Sequence, residues 1–297
     1  MKQRLQDGHA SRDNRKDRKL DMWKGMMKKI TFMIGFFLPV FFFLMYLPAM
    51  AGFLKMETRT SVQVAGDTLK VEVTITNNGS DSAYNIQAHL MALNQQQNAP
   101  IKPQLGPGMS DTFLFEMQLP GMPQGRYPLT VLVDFHDANQ YPFSALSGMS
   151  FYVGQDVNPS LIAKTDPVSM EKAQDLIFDL KNLGTTPLQV KATLVLPREL
   201  SSEKEEMQFQ IGPRSEETMA FRVSNFSALA GAGYPVYCFF EYDSEGVHHT
   251  AVANSLVTIV KEESWFRRFR WAWISLAVLL GLVFVGMLVK GRKKRSI

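Results

Sequence analysis

Two halves of the chain are written in the same register, and no other feature narrows the fold as far. TITNNGS (74–80) aligns with DLKNLGT (179–185), pairing Ile75 with Leu180, Asn77 with Asn182 and Gly79 with Gly184 at an offset of 105. Leu105-Gly106-Pro107 matches Ile211-Gly212-Pro213 at an offset of 106, followed by Phe115 on Phe221. Tyr127-Pro128 then matches Tyr234-Pro235 at 107, which sets Val131 on Cys238, Val133 on Phe240 and Phe135 on Tyr242. An offset that drifts only between matched stretches marks a duplicated domain. It places the boundary near residues 154–162, where GQDVNPS reads as a linker.

Within each copy the apolar residues alternate with period two. Leu69, Val71, Val73 and Ile75 stand against Lys70, Glu72, Thr74 and Thr76. The pattern returns in Tyr84, Ile86, Ala88 and Leu90, in Phe113, Phe115 and Met117, and in Leu129, Val131, Val133 and Phe135. Such runs are strands with one buried face, and Asn, Gly, Pro and Asp clusters punctuate them. No long helical period intervenes, so the expected fold is an all-β ectodomain of two tandem β-sandwiches, over 55–156 and 160–262. Each copy carries its own strands and turns, so each is expected to fold alone, with few contacts across the boundary.

The strand-turn-strand segments VEVTITNNGSDSAYNIQAHL and LIFDLKNLGTTPLQVKATLVL resemble CARDB-type modules, the immunoglobulin-like domains of bacterial and archaeal surface proteins. The resemblance covers both halves and rests on an alternating strand ending in Asn-x-Gly, a short polar turn, and a second alternating strand. Gly79 and Gly184 are expected there to supply a positive φ. The Cys and Trp core of antibody domains is missing. The resemblance implies a non-catalytic extracytoplasmic module used for spacing, adhesion or assembly.

Two apolar segments flank the repeats. Residues 30–54 carry no charge between Lys29 and Lys55, and 25 residues of helix suffice to cross a hydrocarbon core of about 30 Å. A retained transmembrane helix and a signal peptide cleaved after Ala51 both fit, since Ala49-Met50-Ala51 has the small-residue pattern of a cleavage site. Residues 271–289 form a second expected transmembrane helix, with Trp265, Phe266, Phe269, Trp271 and Trp273 as an interfacial belt. Its Ala277 and Gly281 make a small-xxx-small pair to which another helix could fit closely.

Charge orients this arrangement. The overall +4 hides a basic arm at 1–29, a basic tail at 290–297 and an acidic middle. Residues 53–262 hold 14 basic against 23 acidic side chains, a net of −9. The basic ends therefore read as cytoplasmic flanks of membrane segments, with 55–262 periplasmic or extracellular at the cell (inner) membrane. Nucleic acid is not an expected partner; the lipid bilayer and other envelope or membrane proteins are.

Chemistry-bearing residues are sparse. Cys238 is the single cysteine, and its repeat equivalent Val131 makes it a buried core thiol rather than a redox group. His248-His249, the set Asp134, His136 and Asp137, and the set Glu241, Asp243 and Glu245 raise metal or calcium binding. Neighbouring histidines on a strand face opposite ways, however, and acidic residues at a hairpin end are commonly solvated turn formers. Asn78-Gly79-Ser80 and Asn225-Phe226-Ser227 fit the glycosylation pattern. No nucleotide-binding Gly loop or nucleophile elbow occurs, so no catalytic, cofactor-binding or metal residues are assigned and no cofactor is expected. The expected role is a membrane-anchored, non-catalytic binding or assembly protein of the cell envelope. Its rivals are an accessory subunit of an exporter or polysaccharide-synthesis complex, and a metal-dependent hydrolase.

Overall fold

The computed structural model describes residues 52–119, 121–261, 265–276, 279–281 and 283. The basic arm 1–29, residues 30–51 of the first apolar segment, Ala277 and the tail 290–297 lie outside the described residues. Mostly β structure fills the rest, in several sheets, with one short C-terminal helix, α1 (Trp265–Arg268). Among the described residues no helix is long and apolar enough to cross a membrane.

The first half contains β1 (Met56–Ala65), β2 (Thr68–Asn77), β3 (Ala83–Ala92), β4 (Gln95–Asn98), β5 (Lys102–Leu105), β6 (Ser110–Gln118), β7 (Gly125–His136) and β8 (Pro142–Val153). One layer is β1-β2-β6. In the other, β7 lies between β3 and β8, while β4 and β5 pair with β3. The alternating residues of both layers meet in one core, where Leu69, Val73, Ile75, Leu90, Val131 and Val133 are fully enclosed.

The second half contains β9 (Leu161–Lys164), β10 (Val168–Met170), β11 (Ala173–Asn182), β12 (Leu188–Val195), β13 (Leu200–Ser202), β14 (Glu206–Ile211), β15 (Glu216–Asn225), β16 (Gly233–Ser244) and β17 (Val247–Ile259). Its layers are β13-β15-β11-β9 and β14-β12-β16-β17, and they close on a second core that includes Leu176, Phe178, Phe221, Cys238 and Phe240. The halves differ at their first strand. Where β1 runs unbroken along β2, the second half splits the strand around Pro167, so β9 pairs with β11 and β10 crosses to lie parallel to β17. Proline cannot donate to a ladder, which suits it to such a break.

Two sequence expectations are corrected. Tyr84 does not share the inward face of Ile86. A bulge at Asn85, whose φ is 52°, shifts the phase so that Ala83 points inward and Tyr84 is only partly buried. Gly79 and Gly184 do not take positive φ, which occurs instead at Gly66, Gly108, Gly121, Gly154, Gly231 and Gly246. Gly79 is needed for space, because a Cβ there would meet Phe53 O and lie 2.8 Å from Lys55 N. Gly184 is less confined, its nearest contact being Asn182 Oδ1 at 3.1 Å.

A third correction concerns the boundary, where contacts are extensive. β17 runs parallel to β7 and pairs with it at His248 and Gly125. β16 and β17 also pack on β8. Leu132, Leu146 and Phe239 are buried yet belong to neither core, because they lie on outward faces of β7, β8 and β16 that the opposite half covers. The physical reason is the close approach that two glycines allow. A Cβ on Gly125 would lie 2.6 Å from His248 O, and one on Gly148 2.6 Å from the Tyr237 ring.

The parallel course of β7 and β17 turns the second half end for end relative to its repeat equivalent. In the first half one end carries Phe53, the 78–82 turn and the 137–141 turn. In the second half the end beside it carries the 226–232 loop and the exit at Ile259 and Val260. The two ends are joined where Tyr141 Oη donates to Ser227 O at 3.1 Å. The chain therefore enters and leaves this body at one end, the near end, while the β3–β4 and β16–β17 turns mark the far end.

A candidate binding cleft between the two halves

The cleft is built on outward-facing positions of one composite sheet that runs β14-β12-β16-β17-β7-β3-β4 across both halves. It begins at the far end with the β3–β4 turn, Met122 and His248, and runs inward past Pro128, Thr130 and Phe239 to Thr193 and Val195. Its volume is about 660 Å³, within the ordinary range for ligand pockets. The turn is a two-residue hairpin in which Leu93 and Asn94 have φ of 52° and 59°. Asn tolerates this region, whereas Leu at a left-handed position costs roughly 1–2 kcal/mol. Packing of Leu93 against the first core offsets that cost and fixes the rim.

Charge in the cleft is paired. Lys191 Nζ lies 2.7 Å from Glu206 Oε1. His248 Nδ1 is 2.9 Å from Asp243 Oδ1, and its Nε2 is 3.3 Å from Glu241 Oε1. The Glu241 hydrogen bond leads in holding the His248 pKa above its ordinary value, with Asp243 adding to it and burial opposing it. The imidazole also stacks on Tyr127, with ring centroids 4.7 Å apart and planes 14° from parallel. Burial raises the Tyr127 phenol, with Asp243 adding to the effect. The mixed apolar and amide lining, with Met91, Gln95 and Gln96 on the other wall, can take a segment having both apolar and hydrogen-bonding groups.

Behind the cleft, toward the near end, a clamp joins the halves. Arg198 donates from Nε and Nη2 to the two Asp134 oxygens, each at 2.6 Å. His89 Nε2 is 3.0 Å from Asp134 Oδ2. Glu199, 2% exposed, accepts from Ser144 N and Ser144 Oγ at 2.6 Å each. At the other end Thr250 Oγ1 donates to Arg126 O at 2.7 Å. These bonds fix the angle between the two walls.

The residues weighed for chemistry fall as follows. Cys238 is wholly enclosed, and burial pushes its thiol pKa up. His248 and His249 do face opposite ways, the first onto Tyr127 and the second onto Tyr242 at 5.0 Å. Burial lowers the His249 pKa. Glu241 and Asp243 converge on His248, while Glu245 sits in the β16–β17 turn. Asp134 is drawn into the clamp, apart from Asp137, which accepts from the backbone of Asn139 and Tyr141. Among the described residues no group of three or more His, Cys, Asp or Glu is placed to hold a metal. The Asn225 side chain is engaged with Ala228 and Glu171, and Asn78 donates to Glu57.

Sequence reasoning missed the cleft and the clamp, although a signal was present. β7 reads LTVLV and β16 reads VYCFF, and both break strict alternation with apolar residues on the outward face. Consecutive apolar residues in a strand indicate burial on both sides.

The profile of the CARDB family matches residues 53–138, within the first half. The resemblance expected over both halves is thus matched over the first. No curated protein sequence matches the chain. Among solved structures, the chain is similar to Escherichia coli alpha-2-macroglobulin in its native conformation, at 10% identity and TM-score 0.29, over 69% of this chain and 17% of that one. Alpha-2-macroglobulin from Salmonella gives 10% identity and TM-score 0.29, over 70% and 16%. Red sea bream transglutaminase gives 13% identity and TM-score 0.24, over 69% and 31%. The matched region spans less than a third of each of these longer chains.

Proposed function

We propose that this chain is a membrane-anchored, non-catalytic binding or assembly protein of the cell envelope. It presents two immunoglobulin-like sandwiches outside the cytoplasm between hydrophobic helices at 30–54 and 271–289. One observation carries the reading: the folded body takes in and releases its chain at the same end, while the β3–β4 turn and His248, which line the cleft, lie at the opposite end. That arrangement suits a body tethered twice to one bilayer, with its binding groove facing away from the surface. The basic flanks at 1–29 and 290–297 support cytoplasmic ends, and the acidic middle supports export. The cleft lining, with its charges in pairs, supports a partner held by shape and amide contacts.

Reporter fusions test the reading. Alkaline phosphatase joined after Lys261 is expected to be active, and the same enzyme joined after Ile297 inactive. Activity in the reverse pattern would overturn the proposed topology.

A further inference from the structure

The 226–232 loop at the near end combines a fixed backbone with exposed apolar side chains. Phe226 N and Ser227 N both donate to Glu199 O at 3.0 Å, and Ala228 N donates to Asn225 Oδ1 at 2.8 Å. Leu229 N donates to Tyr234 Oη at 2.9 Å, Ala232 N to Leu229 O at 3.1 Å and Gly231 N to Ile259 O at 2.7 Å. With its backbone held this way, the loop still leaves Phe226 78% and Leu229 46% exposed. Tyr141, 39% exposed, joins them through its bond to Ser227 O and rests on Phe143 at a centroid distance of 5.2 Å. No charged residue occurs from Val223 to Phe240. Burying large apolar side chains is favourable, so a rigid, uncharged loop that forgoes this burial in the isolated body has a surface still to cover.

The length of chain beyond the body indicates which surface. The loop is bonded to Ile259, and only five residues separate Ile259 from Trp265, where the aromatic-rich C-terminal segment begins. At no more than 3.6 Å per step, the six steps from Ile259 to Trp265 span at most about 22 Å. The loop therefore lies within about that distance of the segment expected to enter the membrane. Tyr is an interfacial residue for the same reason as Trp, having an apolar ring with a polar tip.

We propose that Phe226 and Leu229, flanked by Tyr141, insert into the headgroup region of the bilayer that carries the anchors, so that the body docks on the membrane with its near end down. The inference rests on the membrane-anchored reading above. The test uses the full chain in phosphatidylcholine vesicles containing phosphatidylglycerol, with a nitroxide at Phe226→Cys or Leu229→Cys. Gln96→Cys, on the cleft rim, serves as the reference, and native Cys238 is enclosed. Collision rates with oxygen and with a water-soluble nickel chelate are compared at each site. Positions 226 and 229 are expected to show a several-fold higher oxygen-to-nickel ratio than position 96. If the chain floats with the vesicles but 226 and 229 are as open to nickel as 96, the docking inference is wrong while the anchored reading stands. A chain that fails to float overturns both. Protection that grows with the protein-to-lipid ratio would assign the loop to contact between copies and would also overturn the inference.

Discussion

The two Asn-x-Gly turns show how one buried side chain can organise a loop. Asn77 and Asn182 are both fully enclosed. Asn77 Nδ2 donates to Asp81 O at 2.7 Å and Leu105 O at 3.0 Å, while its Oδ1 accepts from Gly79 N at 3.0 Å. Asn182 repeats the set with Thr186 O, Gly212 O and Gly184 N at 2.9, 2.8 and 2.9 Å. The motif was legible in sequence, but its mechanism was not. The glycine suggested a left-handed turn, whereas the asparagine does the bonding, and its partner loop lies about 30 residues away. Asn182→Ala is expected to cost about 2–4 kcal/mol, since it orphans buried groups worth 1–3 kcal/mol each. Asn78→Ala, at an exposed site, should stay within about 0.5 kcal/mol. Equilibrium denaturation of both variants gives the comparison.

Cys238 and His248 extend the argument at the same scale. Cys238→Val keeps volume and follows the repeat, so a loss below about 1.5 kcal/mol is expected, against several kcal/mol for Cys238→Asp. Rapid labelling of the native thiol would contradict its burial. His248 carries a raised folded pKa, so its stabilisation is complete below the unfolded value of about 6.5 and is lost as pH rises through the folded value. His249 has a lowered pKa and acts in the opposite sense, contributing stability that is lost as pH falls. Both are separated by comparison with His248→Gln. The stability difference between wild type and this variant should be larger near pH 6 than near pH 8. A difference that grows with pH would mean that Glu241 and Asp243 do not hold the imidazolium.

At the scale of elements, β7 and β16 carry the molecule's main surprise. Their inward residues, such as Val131, Val133, Cys238 and Phe240, follow the alternation and were readable as core. Their outward residues Leu132 and Phe239 were not, because what covers them is the other half of the chain, about 100 residues distant in sequence. Gly148 is the sensitive point of this junction, since its missing Cβ admits the Tyr237 ring. Gly148→Val is expected to force the faces apart at a cost of about 1–3 kcal/mol, the usual range for overpacking. It should also raise binding of a hydrophobic dye as Leu132, Leu146 and Phe239 become wet. Unchanged dye binding with unchanged stability would show that the faces are not in firm contact.

For the whole molecule, the repeat predicted two cores but could not orient them. Orientation is set by outward faces, by the Arg198–Asp134 clamp and by one strand pairing at Gly125, none of which has a local sequence period. Each core is complete in itself, so residues 161–261 expressed alone should keep a cooperative thermal transition. Its midpoint should lie below that of 53–261, because Phe239 and Glu199 lose their cover. Absence of any transition would mean that the second core depends on the first.

The central claim is that the two sandwiches lie side by side with both chain ends together. It is tested most directly by one distance across the near end of residues 53–261. Nitroxides at Ala138→Cys and Lys172→Cys, with Cys238→Val to remove the native thiol, report that distance by pulsed electron resonance. A twelve-residue strand spans about 40 Å. The side-by-side arrangement predicts a narrow distribution well below one such length, whereas sandwiches joined end to end would place the labels roughly two lengths, about 80 Å, apart and contradict the account.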